Sequence, residues 1–356
     1  MTKLKQVNGK TKKNITTISL LSSLLPFKIV HIKKTKNGKH FNNYYWNNRT
    51  KEIIFGNGSL KTKNEIPSFS EIFKYNESTN DLSRREIQIG DSVGILFNTT
   101  VAPFLFGSVV GLDIDTSNEE KYYHILPHDS NFPYAEKRAI KVKYEHEKFF
   151  LLKNGVNERY DKFATKNLAF ARYQYQLDFA EIVTSYMYSY KLVKLYAEND
   201  KIPIGEIALK QCHKSLFGRI YDWAGEYRED IIVVGNRERP TMDHNDIKRT
   251  IKSCLRGCNK SEMDKIENKR DLVLKLAQLH SELAWIHPFQ DGNGRTIRLF
   301  LQILAVTMGY DFDMTVLDGC VKNKRAYHYA VRRAIHDNKR NLIALLNKAI
   351  REIKQS

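Results

Sequence analysis

The sequence predicts an α+β fold in two parts, a β-rich N-terminal domain and a mainly helical C-terminal one. Two textures carry that reading. Between residues 46 and 152, short β-branched and aromatic runs alternate with turn residues, as strands do. Beyond about residue 160, apolar residues recur at three-and-four spacing, as amphipathic helices do. Size and composition agree: 356 residues suit roughly two domains, and 42% hydrophobic with 11% aromatic residues can close a core and exclude general disorder. The expected divisions are a basic arm over 1–45, a β-rich domain over 46–155 and a helical domain over 160–356.

Charge defines the arm. Residues 1–51 hold twelve Lys or Arg and no Asp or Glu, so twelve of the eighteen net positive charges lie there. With Tyr44, Tyr45 and Trp46 beside Arg49 and Lys51, this stretch can follow a nucleic-acid backbone and stack on bases; the alternative is a solvated terminal arm. In the β-rich part the runs are 52–55, 92–97, 104–112, 122–126 and 139–144, punctuated by Asn57-Gly58 and Asp129-Ser130-Asn131. Gly90-Asp91 leads one apolar run and Gly107 interrupts the next, which suits a curled sheet or barrel. Residues 154–167 read as a linker. The helical repeats include Leu209, Cys212 and Leu216, then Leu272, Leu276, Leu279 and Leu283, then Leu301 and Leu304. One extended run interrupts them: Ile231, Ile232, Val233 and Val234, turning back through Pro240 before another helix near Asn245. It reads as a hairpin inserted between helices.

No stretch approaches eighteen consecutive apolar residues, so neither a membrane-spanning helix nor a membrane partner is expected. Residues 15–27 loosely mimic a signal-peptide core, but they carry five Ser or Thr and no small-x-small site follows, so they are read as mature protein. Cys212, Cys254, Cys258 and Cys320 lack the dense spacing of a disulfide scaffold and read as buried thiols. That points to a cytoplasm, the protein's own or that of a cell into which it is delivered. Cys254 and Cys258 with His213 or His244 would be the zinc alternative, though without the usual knuckle spacing.

The chemistry concentrates in Ile286-His287-Pro288-Phe289-Gln290-Asp291-Gly292-Asn293-Gly294-Arg295-Thr296-Ile297-Arg298. Pro288 ends the preceding helix, because the residue before a proline is pushed out of the helical region. Gly292 and Gly294 leave bare backbone, and a helix beginning near Arg295 points its unpaired amides into the loop, the recipe for a phosphate site. Arg295 and Arg298 add two cationic forks on one side of that helix. Asp291 would repel phosphate alone, and a bridging Mg²⁺ removes the conflict. His287 is suited to accept a proton from an attacking hydroxyl near neutral pH.

Residues 287–298 match, at every fixed position, the pattern His-Pro-Phe-x-Asp-Gly-Asn-Gly-Arg-x-x-Arg, and the chain resembles the Fic (filamentation induced by cAMP) family. Leu216-Phe217-Gly218-Arg219-Ile220-Tyr221-Asp222-Trp223-Ala224-Gly225-Glu226-Tyr227-Arg228, and the helix through His280, fit the same family in order; the likeness covers about residues 204–346. It implies a helical Fic domain with a β-hairpin flap that transfers AMP from ATP to a Tyr, Thr or Ser hydroxyl of a target protein. His287 would be the base and Asp291 the Mg²⁺ ligand. Gly292, Asn293 and Gly294 would form the nest for the α- and β-phosphates, with the Asn293 side chain aiding the α-phosphate. Arg295 would hold the β-phosphate side and Arg298 the γ-phosphate, while Phe289 anchors the loop. Ile231, Ile232, Val233 and Val234 would be the flap, pairing with the target as an added strand.

His280 reads as a buried, hydrogen-bonded histidine rather than a second base, Trp223 and Tyr227 as core, and Tyr327 as a candidate to stack near the adenine. Glycine at both 292 and 294 favours adenylylation over the phosphocholine transfer or phosphorylation associated with family variants. The family's inhibitory Ser/Thr-x-x-x-Glu-Gly/Asn helix is missing: only Glu198 and Glu267 precede Asn, and four positions earlier stand Lys194 and Met263. Restraint would then come from a separate antitoxin, from target access or from the N-terminal half. That half vaguely resembles PUA- or EVE-like barrels. The rival function is a nucleic-acid-binding regulator acting through the basic N-terminal region.

Overall fold

The structure is a computed structural model that describes residues 44–47, 52–55, 60–62, 86–97, 102–134, 138–145, 148–199, 201–233, 241–318 and 321–352. The basic arm therefore lies outside the described residues, except for its last two positions. Strands β1 (Tyr44–Asn47), β2 (Glu52–Phe55) and β3 (Leu60–Thr62) form an antiparallel sheet in that order.

A second sheet follows, from β4 (Ser92–Leu96), β5 (Phe104–Asp115), β6 (Glu120–Pro127), β7 (Ile140–Lys143) and β8 (Phe149–Lys153). Its order is β7-β6-β5-β4-β8, every neighbour antiparallel. The barrel that Gly90 and Gly107 suggested is not formed: β7 and β8 stand at opposite edges, and no pairing among the described residues closes the sheet. The reason lies in what covers its faces. Strand alternation sends Phe104, Phe106 and Phe150 to one face, where Phe179 of helix α1 (Gln174–Glu198) meets them with ring centroids 6.3, 6.1 and 5.0 Å away. Leu105, Val109, Phe149 and Leu151 point to the other and join Val93, Ile95 and Ile125 in a second cluster. With a helix over one side, the sheet buries both faces without curling shut. Gly107 instead reflects close approach: a Cβ there would lie 2.4 Å from the Leu126 carbonyl oxygen.

The helical part continues with α2 (Glu206–Phe217), α3 (His244–Cys254), α4 (Lys260–Met263), α5 (Lys269–Ile286) and α6 (Asn293–Thr307). After α6 come β9 (Tyr310–Phe312), α7 (Thr315–Asp318), α8 (Val321–Ile335) and α9 (Arg340–Ala349), and β10 (Ile350–Glu352) pairs back on β9. Helix α6 is the axis. Ile297, Leu299, Phe300, Leu301, Ile303 and Leu304 are all at most 2% exposed, so it is apolar on every side, as an interior helix is. Helices α1, α2 and α5 pack around it.

Helix α5 has a defined start and stop. Asn268 caps it by accepting the Asp271 amide, with the acidic Asp271 in the first turn. It ends at His287, whose backbone is left-handed at φ 51° and ψ 63°, immediately before Pro288. The proline stop read from sequence is where the structure has it. Helix α6 begins at Asn293, two residues earlier than expected.

Candidate active site

The termini of α5 and α6 face one short loop, and its shape follows from three anchored side chains. Phe289 is fully buried and stacks on His213 of α2, centroids 4.0 Å apart at 16°. It is the packing anchor expected. His213 accepts the Gly225 amide at Nδ1 (2.8 Å), which fixes its proton on Nε2, where it donates to the Asp291 carbonyl at 3.1 Å. Burial pulls its pKa down to about 4, so it is a neutral strut. The zinc alternative for His213 is thereby displaced: both its nitrogens serve the backbone, and among the described residues no cluster of three or more His, Cys, Asp or Glu could hold a metal. Asn293 is 2% exposed and uses its whole carboxamide on one residue, Oδ1 accepting the Phe289 amide (2.9 Å) and Nδ2 donating to the Phe289 carbonyl (2.7 Å).

His287 sits at the lip of this loop, half-buried. Its Nδ1 lies 3.3 Å from the Ala284 carbonyl, which only accepts, so Nδ1 carries the proton and Nε2 keeps the lone pair. Burial holds its pKa below the ordinary histidine value, partly offset by that hydrogen bond. At neutral pH the ring is therefore an uncharged base. Asp291 is exposed, with Oδ1 accepting the Gly292 amide at 2.5 Å.

The residues expected to hold phosphate, Gly292, Asn293, Gly294, Arg295 and Arg298, come together at the start of α6. Gly292 has φ 72°, and a Cβ there would strike the Phe217 ring at 2.3 Å. Gly294 is exposed and its Cβ would find only the Arg298 guanidinium, at 3.6 Å. Arg298 is 7% exposed and lies over the Tyr327 ring, 5.2 Å from its centroid. Tyr327 is itself buried, and its hydroxyl is 2.6 Å from Nε2 of His280. His280 is thus the buried, hydrogen-bonded histidine expected, with its pKa lowered to about 4 by burial. Arg295 lies over Phe217 at 4.5 Å and pairs with Glu181 of α1 at 2.5 Å, while the Tyr221 hydroxyl donates to the other Glu181 oxygen at 2.7 Å.

Of the flap, Ile231, Ile232 and Val233 are described; Val234 lies outside the described residues. Ile231 and Val233 are 60% and 51% exposed, and the chain returns beside Ile232, whose carbonyl accepts the Thr241 amide (3.3 Å) and hydroxyl (2.8 Å). Sequence reasoning missed the residue that joins the segment of the expected flap to the loop. Arg228, 5% exposed, donates to the carbonyls of His287 (2.8 Å), Asp230 (2.5 Å), Met242 (2.5 Å) and Ile286 (3.4 Å), and its amide donates to Pro288 (2.9 Å). Both feet of the flap and the turn carrying His287 hang on one guanidinium. The only sequence signal was its place at the end of Gly225-Glu226-Tyr227-Arg228. Glu181 was missed as well, since nothing in its neighbourhood marks it.

The model of the Fic/DOC family matches residues 203–305. Protein adenylyltransferase VbhT of Bartonella schoenbuchensis is 30% identical over 105 residues, 30% of this chain and 22% of that protein. The probable protein adenylyltransferase Fic of Escherichia coli is 25% identical over 148 residues, 42% of this chain and 70% of that protein. This chain therefore spans about a fifth of the length of the first relative and over two thirds of the second. A crystal structure of BepC from Bartonella tribocorum with bound AMPPNP is similar at a TM-score of 0.46 and 20% identity, over 55% of this chain and 96% of that one.

Proposed function

We propose that this chain, in which residues 203–305 belong to the Fic/DOC family, is a protein adenylyltransferase that moves AMP from ATP onto a hydroxyl side chain of another protein. The observation that supports it most is His287: a neutral imidazole with its free Nε2 at the rim of a phosphate-shaped helix terminus. Nε2 takes the proton of the target hydroxyl, whose oxygen bonds to the α-phosphorus. The bond from that phosphorus to the bridging oxygen breaks, and pyrophosphate leaves with the electron pair. The amides at the start of α6 and the guanidiniums of Arg295 and Arg298 hold the phosphates in line for that attack. Asn293 acts through the loop it clamps, since both ends of its carboxamide bond Phe289.

The carboxylate of Asp291 fits Mg²⁺: it is exposed, and one carboxylate with phosphate oxygens is the donor set this ion commonly takes. When bound, Mg²⁺ neutralises charge on the phosphates. The exposed edge formed by Ile231 and Val233 would register the target's main chain, placing the hydroxyl by strand addition.

The test compares wild type with His287→Ala, each incubated with α-labelled ATP, Mg²⁺ and a bacterial lysate. Label should appear on protein with wild type only, and γ-labelled ATP should leave none. Transfer from γ-labelled ATP, or labelling that persists in the variant, would refute the assignment.

A further inference from the structure

Arg295 is held by side chains from two other segments of the chain. Its guanidinium lies over the Phe217 ring at the end of α2, and its Nη1 pairs with Glu181 Oε2 of α1 at 2.5 Å. The other oxygen of Glu181 accepts the Tyr221 hydroxyl at 2.7 Å. Burial, and after it this bond, raises the Tyr221 pKa above the ordinary phenol value, so the hydroxyl keeps the proton it donates. Tyr221 is itself clamped, 7% exposed and stacked on Trp223 with centroids 4.5 Å apart at 14°.

The two partners are unequally buried: the Glu181 side chain is 13% exposed and that of Arg295 34%. The carboxylate is sequestered with both oxygens used, while the cation keeps an open side. A guanidinium is a planar fork of five N–H donors, and one carboxylate takes a single edge of it. The remaining donors stay available to a phosphate. Nor is Glu181 free to swing with its helix. Thr184, three residues along α1, donates to the Leu216 carbonyl at 3.1 Å, next to Phe217. On the opposite side of α1, Phe179 packs against Phe104, Phe106 and Phe150 of the sheet.

Charge alone argues against a carboxylate beside a phosphate site, since like charges repel. Geometry argues for it: an arginine fixed in one rotamer has already lost the freedom that a phosphate would otherwise have to take from it. We infer that Glu181 is a positioning residue, which with Tyr221 sets the Arg295 fork for the β-phosphate side of the nucleotide. The inference rests on the transferase reading, in which Arg295 holds that phosphate.

The test titrates the full-length protein with ATP and with AMP, each with Mg²⁺, by calorimetry. AMP lacks the phosphates that Arg295 would hold. Glu181→Gln keeps the size and hydrogen-bonding capacity of the side chain and removes its charge. It should weaken ATP binding by about tenfold, the order of cost of fixing one rotamer-rich side chain, and leave AMP binding unchanged. Tyr221→Phe, which removes only the hydroxyl, should weaken ATP binding by about threefold. In an Arg295→Ala background, Glu181→Gln should change ATP affinity by less than about twofold, because its effect passes through that arginine. A purely structural salt bridge would weaken both nucleotides equally or neither, and its loss would add to that of Arg295→Ala; either result overturns the role. So does tighter ATP binding in Glu181→Gln, which would mean that the carboxylate holds Arg295 away from the phosphates. The expected binding pattern in a protein that transfers no AMP keeps the role and removes the transferase reading. Transfer of AMP by wild type, with ATP affinity indifferent to Glu181, does the reverse.

Discussion

At Gly292 the backbone has φ 72°, and any side chain would enter the Phe217 ring; at Gly294, in the first turn of α6, a methyl group would meet only Arg298 at ordinary contact distance. The fold requires the first glycine and not the second. On the proposed reading, Gly294 is small so that a phosphate can approach the first turn of α6. Gly292→Ala should therefore lower stability by roughly 2–4 kcal/mol, through backbone strain and overpacking. Gly294→Ala should leave stability unchanged or raise it by about 0.5–1 kcal/mol, the ordinary gain of alanine over glycine in a helix. It should also weaken ATP binding by about tenfold or more, because its methyl group stands where a phosphate oxygen approaches the amides. Thermal denaturation and calorimetric titration separate the two effects. Wild-type ATP affinity in Gly294→Ala would mean that the phosphates do not lie there.

Among the elements, the flap and the α5–α6 loop are separate in sequence and joined by Arg228. Four carbonyl oxygens depend on its fork, those of Asp230 and Met242 on either side of the expected flap and two on the turn bearing His287. A lysine is a point donor on a flexible stem and cannot serve them all. Arg228→Lys should lower transfer to a protein target by 10- to 100-fold, about what misplacing a reacting group by 1 Å costs, while ATP affinity stays as in wild type. Equal loss of both would make Arg228 a stability residue only. The motif residues were legible because their chemistry is carried by residue type at fixed spacing: His287, Asp291, Gly292 and Arg298 declare themselves. Arg228 did not, because its partners are backbone carbonyls, which every residue has. His213 was noticed for the wrong reason, as a metal ligand, since no pattern shows that Gly225 and the Asp291 carbonyl will take both its nitrogens.

Across the whole molecule, the run over residues 104–112 correctly marked a strand, yet it could not tell a closed barrel from an open sheet. That choice depends on Phe179, some seventy residues further along, which brings α1 over one face. The same helix carries Glu181 to Arg295, so the sheet, α1 and the cradle form one connected body. Burying these parts together has a consequence for acid stability. His213 and His280 are 0% and 1% exposed, and burial lowers both pKa values to about 4. In the unfolded chain they titrate near 6.5, so between these two values the unfolded state binds more protons and stability falls as pH falls. Each histidine contributes roughly 3 kcal/mol, fully present above about pH 6.5 and lost by about pH 4. Together they are a large share of a typical folding free energy of about 5–15 kcal/mol. Paired carboxylates such as Asp161 beside Lys153 act lower, because their folded values are depressed below the ordinary carboxylate range. The melting temperature should therefore stay level above about pH 7 and drop steeply between about 6.5 and 4, before the carboxylates titrate. A melting temperature that held constant down to pH 4 would mean that these two rings protonate freely, and that the strut beneath Asp291 and the contact beneath Arg298 are open to water.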